Sequence, residues 1–137
     1  MQGAVLITGA TSGFGAASAR CLARQGWPLI LCGRRLERLQ ALADELSELT
    51  SVLPLQLDVR DAIAGQRAID ELPELFSGIQ VLVNNAGIGV AGNIETCDFD
   101  DWKRCFAINV DSIFHGCQKA LPLMREHAPG SIVNISS

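Results

Sequence analysis

Gly3-Ala-Val-Leu-Ile-Thr8-Gly9-Ala-Thr-Ser-Gly13-Phe-Gly15-Ala16-Ala-Ser-Ala-Arg-Cys-Leu-Ala-Arg24 decides the fold, and it divides into three parts. Gly3 to Thr8 is an apolar run too short for a helix and closed by glycine, the pattern of a strand buried on both faces of a parallel sheet. Ala16 to Arg24 is rich in alanine and leucine and precedes Gly26, which predicts a helix with a glycine at its C-terminus. Between them Gly9, Gly13 and Gly15 stand in a GxxxGxG spacing, with Thr11, Ser12 and Phe14 in the same loop. Strand, glycine-rich turn and helix in that order suit a phosphate. Glycine lets the chain reverse, a missing side chain lets backbone approach a pyrophosphate, and the helix N-terminus supplies free N–H donors and positive potential.

Outward from this unit the pattern repeats. Pro28 to Cys32, Val52 to Leu57, Val81 to Val83 and Ser131 to Ile135 are further short apolar runs, so five strands are expected. Leu36, Leu39, Leu42, Ala43, Leu46 and Leu49 recur at helical spacing, with charged residues on the other faces. Asp61 to Leu72 predicts a weaker helix interrupted by Gly65 and stopped at Pro73, and Asp100 to Glu126 a longer one containing Pro122. Strand and helix alternate throughout. That order predicts an α/β fold: a doubly wound, parallel sheet with right-handed crossovers and helices on both faces. Further strands are expected to cover the sheet edge beyond the fifth.

Composition bounds the function. With 137 residues, 48% of them apolar and 19% charged, the chain is expected to form one domain spanning residues 1–137. A net charge of -4 without a basic run argues against a nucleic-acid partner. Ala4 to Ile7 is too short to span a membrane or serve as an export signal, so a cytoplasmic protein is expected. The five cysteines include no CxxC pair, which suits free thiols in a reducing compartment. His115 and His127 lie near no cluster of acidic or thiol ligands, and no metal is expected.

Four more features join the glycine loop. Asp58 closes the third strand, Asn84-Asn85-Ala86-Gly87 closes the fourth, Asn109 sits within the long helix, and Val133-Asn-Ile-Ser-Ser137 ends the fifth strand. Together with Thr8-Gly-Ala-Thr-Ser-Gly-Phe-Gly15, these resemble the short-chain dehydrogenase/reductase family, in the right order along the whole chain. The resemblance implies a Rossmann-type fold, an oxidoreductase acting on a small alcohol or carbonyl compound, and a parent protein that is a homo-oligomer. It implies that Gly9, Gly13 and Gly15 line the pyrophosphate, that Asp58 hydrogen-bonds adenine, and that Val59 presents backbone beside it. Asn85, Ala86 and Gly87 would pack along the adenosine side. Asn109 would interrupt its helix to hold a water in a proton relay, and Ser137 would orient the substrate oxygen.

The position about 20 residues past the glycine motif usually carries an acidic group for the ribose hydroxyls of NAD. Here it is Gly33, followed by Arg34 and Arg35, whose guanidinium groups suit a 2′-phosphate. NADP is therefore expected over NAD, the alternative being two solvated arginines at the start of the second helix. Ile88 to Asn93, just after the fourth strand, is the segment expected nearest a substrate.

The family's catalytic Tyr, and the Lys four residues after it, have no counterpart: the chain contains no Tyr. Two functional readings follow, an NADP-dependent oxidoreductase represented by its cofactor-binding portion, and a nucleotide-binding module without catalysis. A methyltransferase on a similar sheet is disfavoured by the missing acidic residue after the second strand.

Overall fold

The computed structural model describes residues 2–127 and 129–136. Five strands, β1 (Ala4–Ile7), β2 (Leu29–Gly33), β3 (Val52–Gln56), β4 (Ile79–Asn84) and β5 (Ser131–Asn134), form one parallel sheet in the order β3-β2-β1-β4-β5. The chain winds outward from β1 to β3, then crosses back to place β4 on the other side of β1. That reversal opens a crevice at the carboxyl ends of β1 and β4, where sheets of this type bind ligands.

Side-chain alternation explains why both faces are covered. Val5 and Ile7 of β1 face one way and pack, with Leu29 and Leu31, against helices α1 (Gly13–Arg24) and α2 (Leu36–Leu46) through Ala19, Ala23, Leu39 and Leu46. Ala4 and Leu6 face the other way, with Ile30, Ile79 and Leu82, where Phe76, Ala120 and Met124 close over them. A strand whose neighbours in sequence are buried on opposite faces must be apolar throughout, as the first strand is. The small residues of α1 let that helix lie close to the sheet, which fixes the loop at its start.

The sequence expectations need three changes. The third helix, α3 (Ala62–Asp70), runs through Gly65 without a break; Gly65 is buried, and a Cβ there would make ordinary contact with Lys119 of the facing helix at 3.4 Å. That helix stops before Pro73 as expected, but Pro73 then precedes an unforeseen short helix, α4 (Glu74–Ser77), which buries Phe76. The long helix expected over Asp100–Glu126 is two, α5 (Phe99–Phe106) and α6 (Ser112–Glu126), joined by a wide π turn at Ala107–Asp111. Pro122 lies inside α6 without ending it. Burial of Ala120 and Met124 on the sheet outweighs the loss of one backbone bond.

The edges differ. β3 carries Pro54, which lacks an N–H and is tolerated on an edge strand. β5 pairs with β4 and is exposed at all four residues among those described.

Candidate functional site

The loop from β1 to α1 is shaped by its glycines. Gly9 and Gly13 have φ of 61° and 54°, left-handed values that side-chain-bearing residues seldom adopt. A Cβ on Gly9 would lie 2.8 Å from the Cα of Ala86, whereas one on Gly13 would meet nothing within 4 Å. Gly13 thus faces open space. Gly15 is placed differently from the expectation of a lining residue: it is buried beneath the loop, and a side chain there would overlap the Gly9 carbonyl oxygen. Ser12 caps α1 with an extended backbone, its side chain making no capping bond, so the first turn of the helix has no side-chain acceptor of its own.

Thr8 ties this loop to the one after β4. Its Oγ1 accepts from the backbone N–H groups of Asn85 and Ala86, each at 3.0 Å. Asn85 answers by donating its Nδ2 to the carbonyls of Thr8 and Gly9, at 3.2 and 3.0 Å. Four hydrogen bonds thus join the two loops. Asn84, buried at the end of β4, donates to Asn134 Oδ1 of β5 at 2.9 Å and steadies the next strand in turn. The sequence reading quoted Thr8 without giving it a role. A hydroxyl residue between a strand and a glycine loop is the only local sign of this work.

The π turn aims Asn109 at the same loop. Its Oδ1 accepts from the Ile88 N–H and its Nδ2 donates to the Ile88 carbonyl, both at 2.8 Å. Nδ2 also lies 3.1 Å from Cys105 Sγ. The helix is interrupted at Asn109 as expected, but the side-chain amide is engaged with backbone. The partner, Ile88, was not foreseen.

Between these parts lies a cleft of about 180 Å³. Gly9, Thr11 and Ser12 form one wall, Arg34 and Arg35 follow β2, Asp58 and Val59 follow β3, and Ala86 and Gly87 follow β4. Ala86, Gly87 and Ile88 also border a second hollow of about 430 Å³, reached by Phe14, Asn109 and Ser136. Phe14 is 75% exposed there. Ser137 lies outside the described residues.

Charge in the cleft is uneven. Arg34 and Arg35 make no ion pair among the described residues, whose pairs are elsewhere. Asp58 is held by Arg60, whose Nη2 and Nε reach its two oxygens at 2.6 and 3.0 Å. These bonds to Arg60 keep the Asp58 carboxyl below its ordinary range, with a smaller contribution from the charge of Arg34. Cys32, under the cleft, is 1% exposed, and burial pushes its thiol up to about 12, so it is protonated and inert at neutral pH. No cluster of metal-ligating side chains occurs among the described residues. No helix among them is long and apolar enough to cross a membrane.

A glycine loop, two arginines without an ion-pair partner among the described residues and a carboxylate thus surround one crevice, and the whole chain resembles known proteins. Sulfoacetaldehyde reductase 2 of Chromohalobacter salexigens is 48% identical over 139 residues, covering 100% of this chain and 55% of that protein. The closed form of a serine dehydrogenase complexed with NADP+ superposes with a TM-score of 0.89 at 38% identity, covering 97% of this chain and 53% of that one. A short-chain dehydrogenase/reductase from Burkholderia phymatum in complex with NAD gives a TM-score of 0.91 at 33% identity, covering 99% and 50%. The chain spans about half the length of the relatives it matches. The pattern describing the short chain dehydrogenases matches residues 3–137, which takes in the glycine loop, the Asn85 hub and the Asn109 turn alike, and the chain belongs to that family.

Proposed function

We propose that this chain is the nucleotide-binding domain, residues 1–137, of a cytoplasmic, homo-oligomeric NADP-dependent oxidoreductase acting on a small alcohol or carbonyl compound. One observation carries the cofactor assignment: two unpaired arginines follow β2 in the cleft, where a carboxylate for a free ribose would stand. Relatives are solved with NADP and with NAD, so it is the arginines that support NADP in this reading. The residues fit the group. Gly13 leaves open space for a pyrophosphate, the first turn of α1 offers donors to it, and Arg34 with Arg35 supplies charge for a 2′-phosphate.

When bound, the dinucleotide would supply or accept the hydride. Thr11, Ser12 and Gly9 form the wall that would bind its phosphates, while Asp58 and Val59 would receive the adenine. Asn85, Ala86 and Gly87 would pack along the adenosine, held by Thr8. With its side chain engaged by Ile88, Asn109 would hold a relay water through main chain, since a π turn leaves a carbonyl short of its usual donor. Ser137 would orient the substrate oxygen. Proton transfer needs a further acid/base group, which this reading assigns to residues outside these 137. The alternative of a non-catalytic nucleotide-binding module is favoured by the lack of any Tyr.

Calorimetric titration with NADPH and NADH tests the assignment. A hydrogen bond to a charged group is worth about 1.5–3 kcal/mol, so Arg34→Ala should weaken NADPH relative to NADH by about 10- to 150-fold. Equal losses for both would indicate a damaged fold, and no loss would move the contact to Arg35 or remove it.

A further inference from the structure

Asp58 lines the cleft, and Arg60, which holds it, has no part in the proposed function. Asp58 Oδ1 accepts from the Arg60 main-chain N–H and from its Nε, both at 3.0 Å, while Oδ2 accepts from Nη2 at 2.6 Å and shares Nε at 3.2 Å. The main-chain bond alone would make an ordinary aspartate turn. The guanidinium fork is additional, and it immobilises a long side chain that is 38% exposed, at a cost in rotamer freedom. Its effect falls on Asp58. A carboxylate has about four acceptor positions, and the three Arg60 donors fill both positions on Oδ1 and one on Oδ2. One acceptor position on Oδ2 is left, on a carboxylate whose plane is fixed. Arg60 lies outside the cleft wall that Asp58 lines, so it orients that carboxylate from behind without occupying the space. It also neutralises a negative charge that would otherwise repel the phosphates of a dinucleotide.

We propose that Arg60 is a positioning residue that presents the open acceptor of Asp58 to the exocyclic amine of adenine, so that the pair selects adenine over a base with a carbonyl at that place. The proposal rests on the dinucleotide reading. Its mechanism is specific: an amine donates to a carboxylate, a carbonyl oxygen is repelled by it, and a freely rotating carboxylate discriminates less because it must be ordered on binding.

The test is a titration of the wild-type chain, Arg60→Ala, Arg60→Lys and Asp58→Ala with NADPH and with its hypoxanthine counterpart, in which the adenine amine is replaced by oxygen. Wild type should prefer NADPH, and Arg60→Ala should shrink that preference by about five- to thirtyfold. Arg60→Lys, which keeps the charge without the fork, should fall between them. In an Asp58→Ala background, adding Arg60→Ala should leave the preference unchanged, which a role in the fold alone would not produce. A preference unaltered in Arg60→Ala, or equal losses for both nucleotides, would overturn the role of Arg60 while leaving the site intact. Failure of wild type to bind either nucleotide would overturn the dinucleotide reading and this assignment with it.

Discussion

Three glycines in one loop do separate things, and substitution should tell them apart. At Gly13 a side chain meets only open space, so Gly13→Val should keep the sheet and helices while strained by its φ of 54° and projecting into the phosphate position. Loss of NADPH binding in calorimetry with a retained circular dichroism spectrum is the expected result; unaltered affinity would remove the loop from the site. Gly15→Ala should act on the fold instead, because its methyl would displace the Gly9 carbonyl, and overpacking of this kind costs about 1–3 kcal/mol in chemical denaturation. Asp58 belongs to this scale through its charge. Arg60 lowers its carboxyl in the folded state, so the pair's contribution is complete above the ordinary value of 3.8 and is lost as pH falls through the lower folded value. The stability difference between wild type and Asp58→Asn should therefore be constant from pH 7 to 5 and shrink in stronger acid. The difference should be small for a pair this exposed, measured by urea titration at each pH.

The Asn109 amide ties the π turn between α5 and α6 to the loop after β4. Asn109→Leu would leave both the N–H and the carbonyl of Ile88 without their partner, at about 1–3 kcal/mol for each group that becomes buried and unpaired. Amide exchange should show it: the Ile88 N–H is expected to lose protection in the variant, and full retention would mean that the loop is held by other contacts. The strands and the glycine loop were legible because each is a short apolar run punctuated by glycine or by an amide residue, as Ala4–Ile7 before Gly9 and Val81–Val83 before Asn84 show. The π turn was legible only as a suspected interruption at Asn109. A helical period does not say how a turn widens. The partners Thr8 with Asn85, and Asn109 with Ile88, lie 77 and 21 residues apart, so no local pattern joins them. Gly65 misled for a related reason, since the helix it was expected to break packs there against Lys119 of another element.

At the scale of the molecule, the cleft proposed for the cofactor is lined by Asp58, Arg34 and Arg35 but by no His, Lys or Tyr among the described residues. Lys119, the lysine of α6, packs across Gly65 of α3 on a different side of the sheet from the glycine loop's helix. The 137-residue chain should therefore bind NADPH yet turn over no aldehyde or ketone, as followed by NADPH absorbance. Turnover comparable with a full-length relative would require a different proton donor. The pairing of β1 with β4 has a consequence in time. During synthesis β2 and β3 can pair as soon as both have emerged, Leu31 with Pro54, but β1 has to wait for Val81 to Val83 on its other side. Until then its apolar edge stays open, and closing so long a loop is slow compared with forming the local helices. The hydroxyl of Thr8, made among the first residues, receives Asn85 and Ala86 only when those leave the ribosome, so the bonds that join the two loops form late in synthesis. A nascent chain arrested before Asn85 is then expected to be a client for chaperones, while one arrested well beyond Gly87 is expected to hold its two loops together.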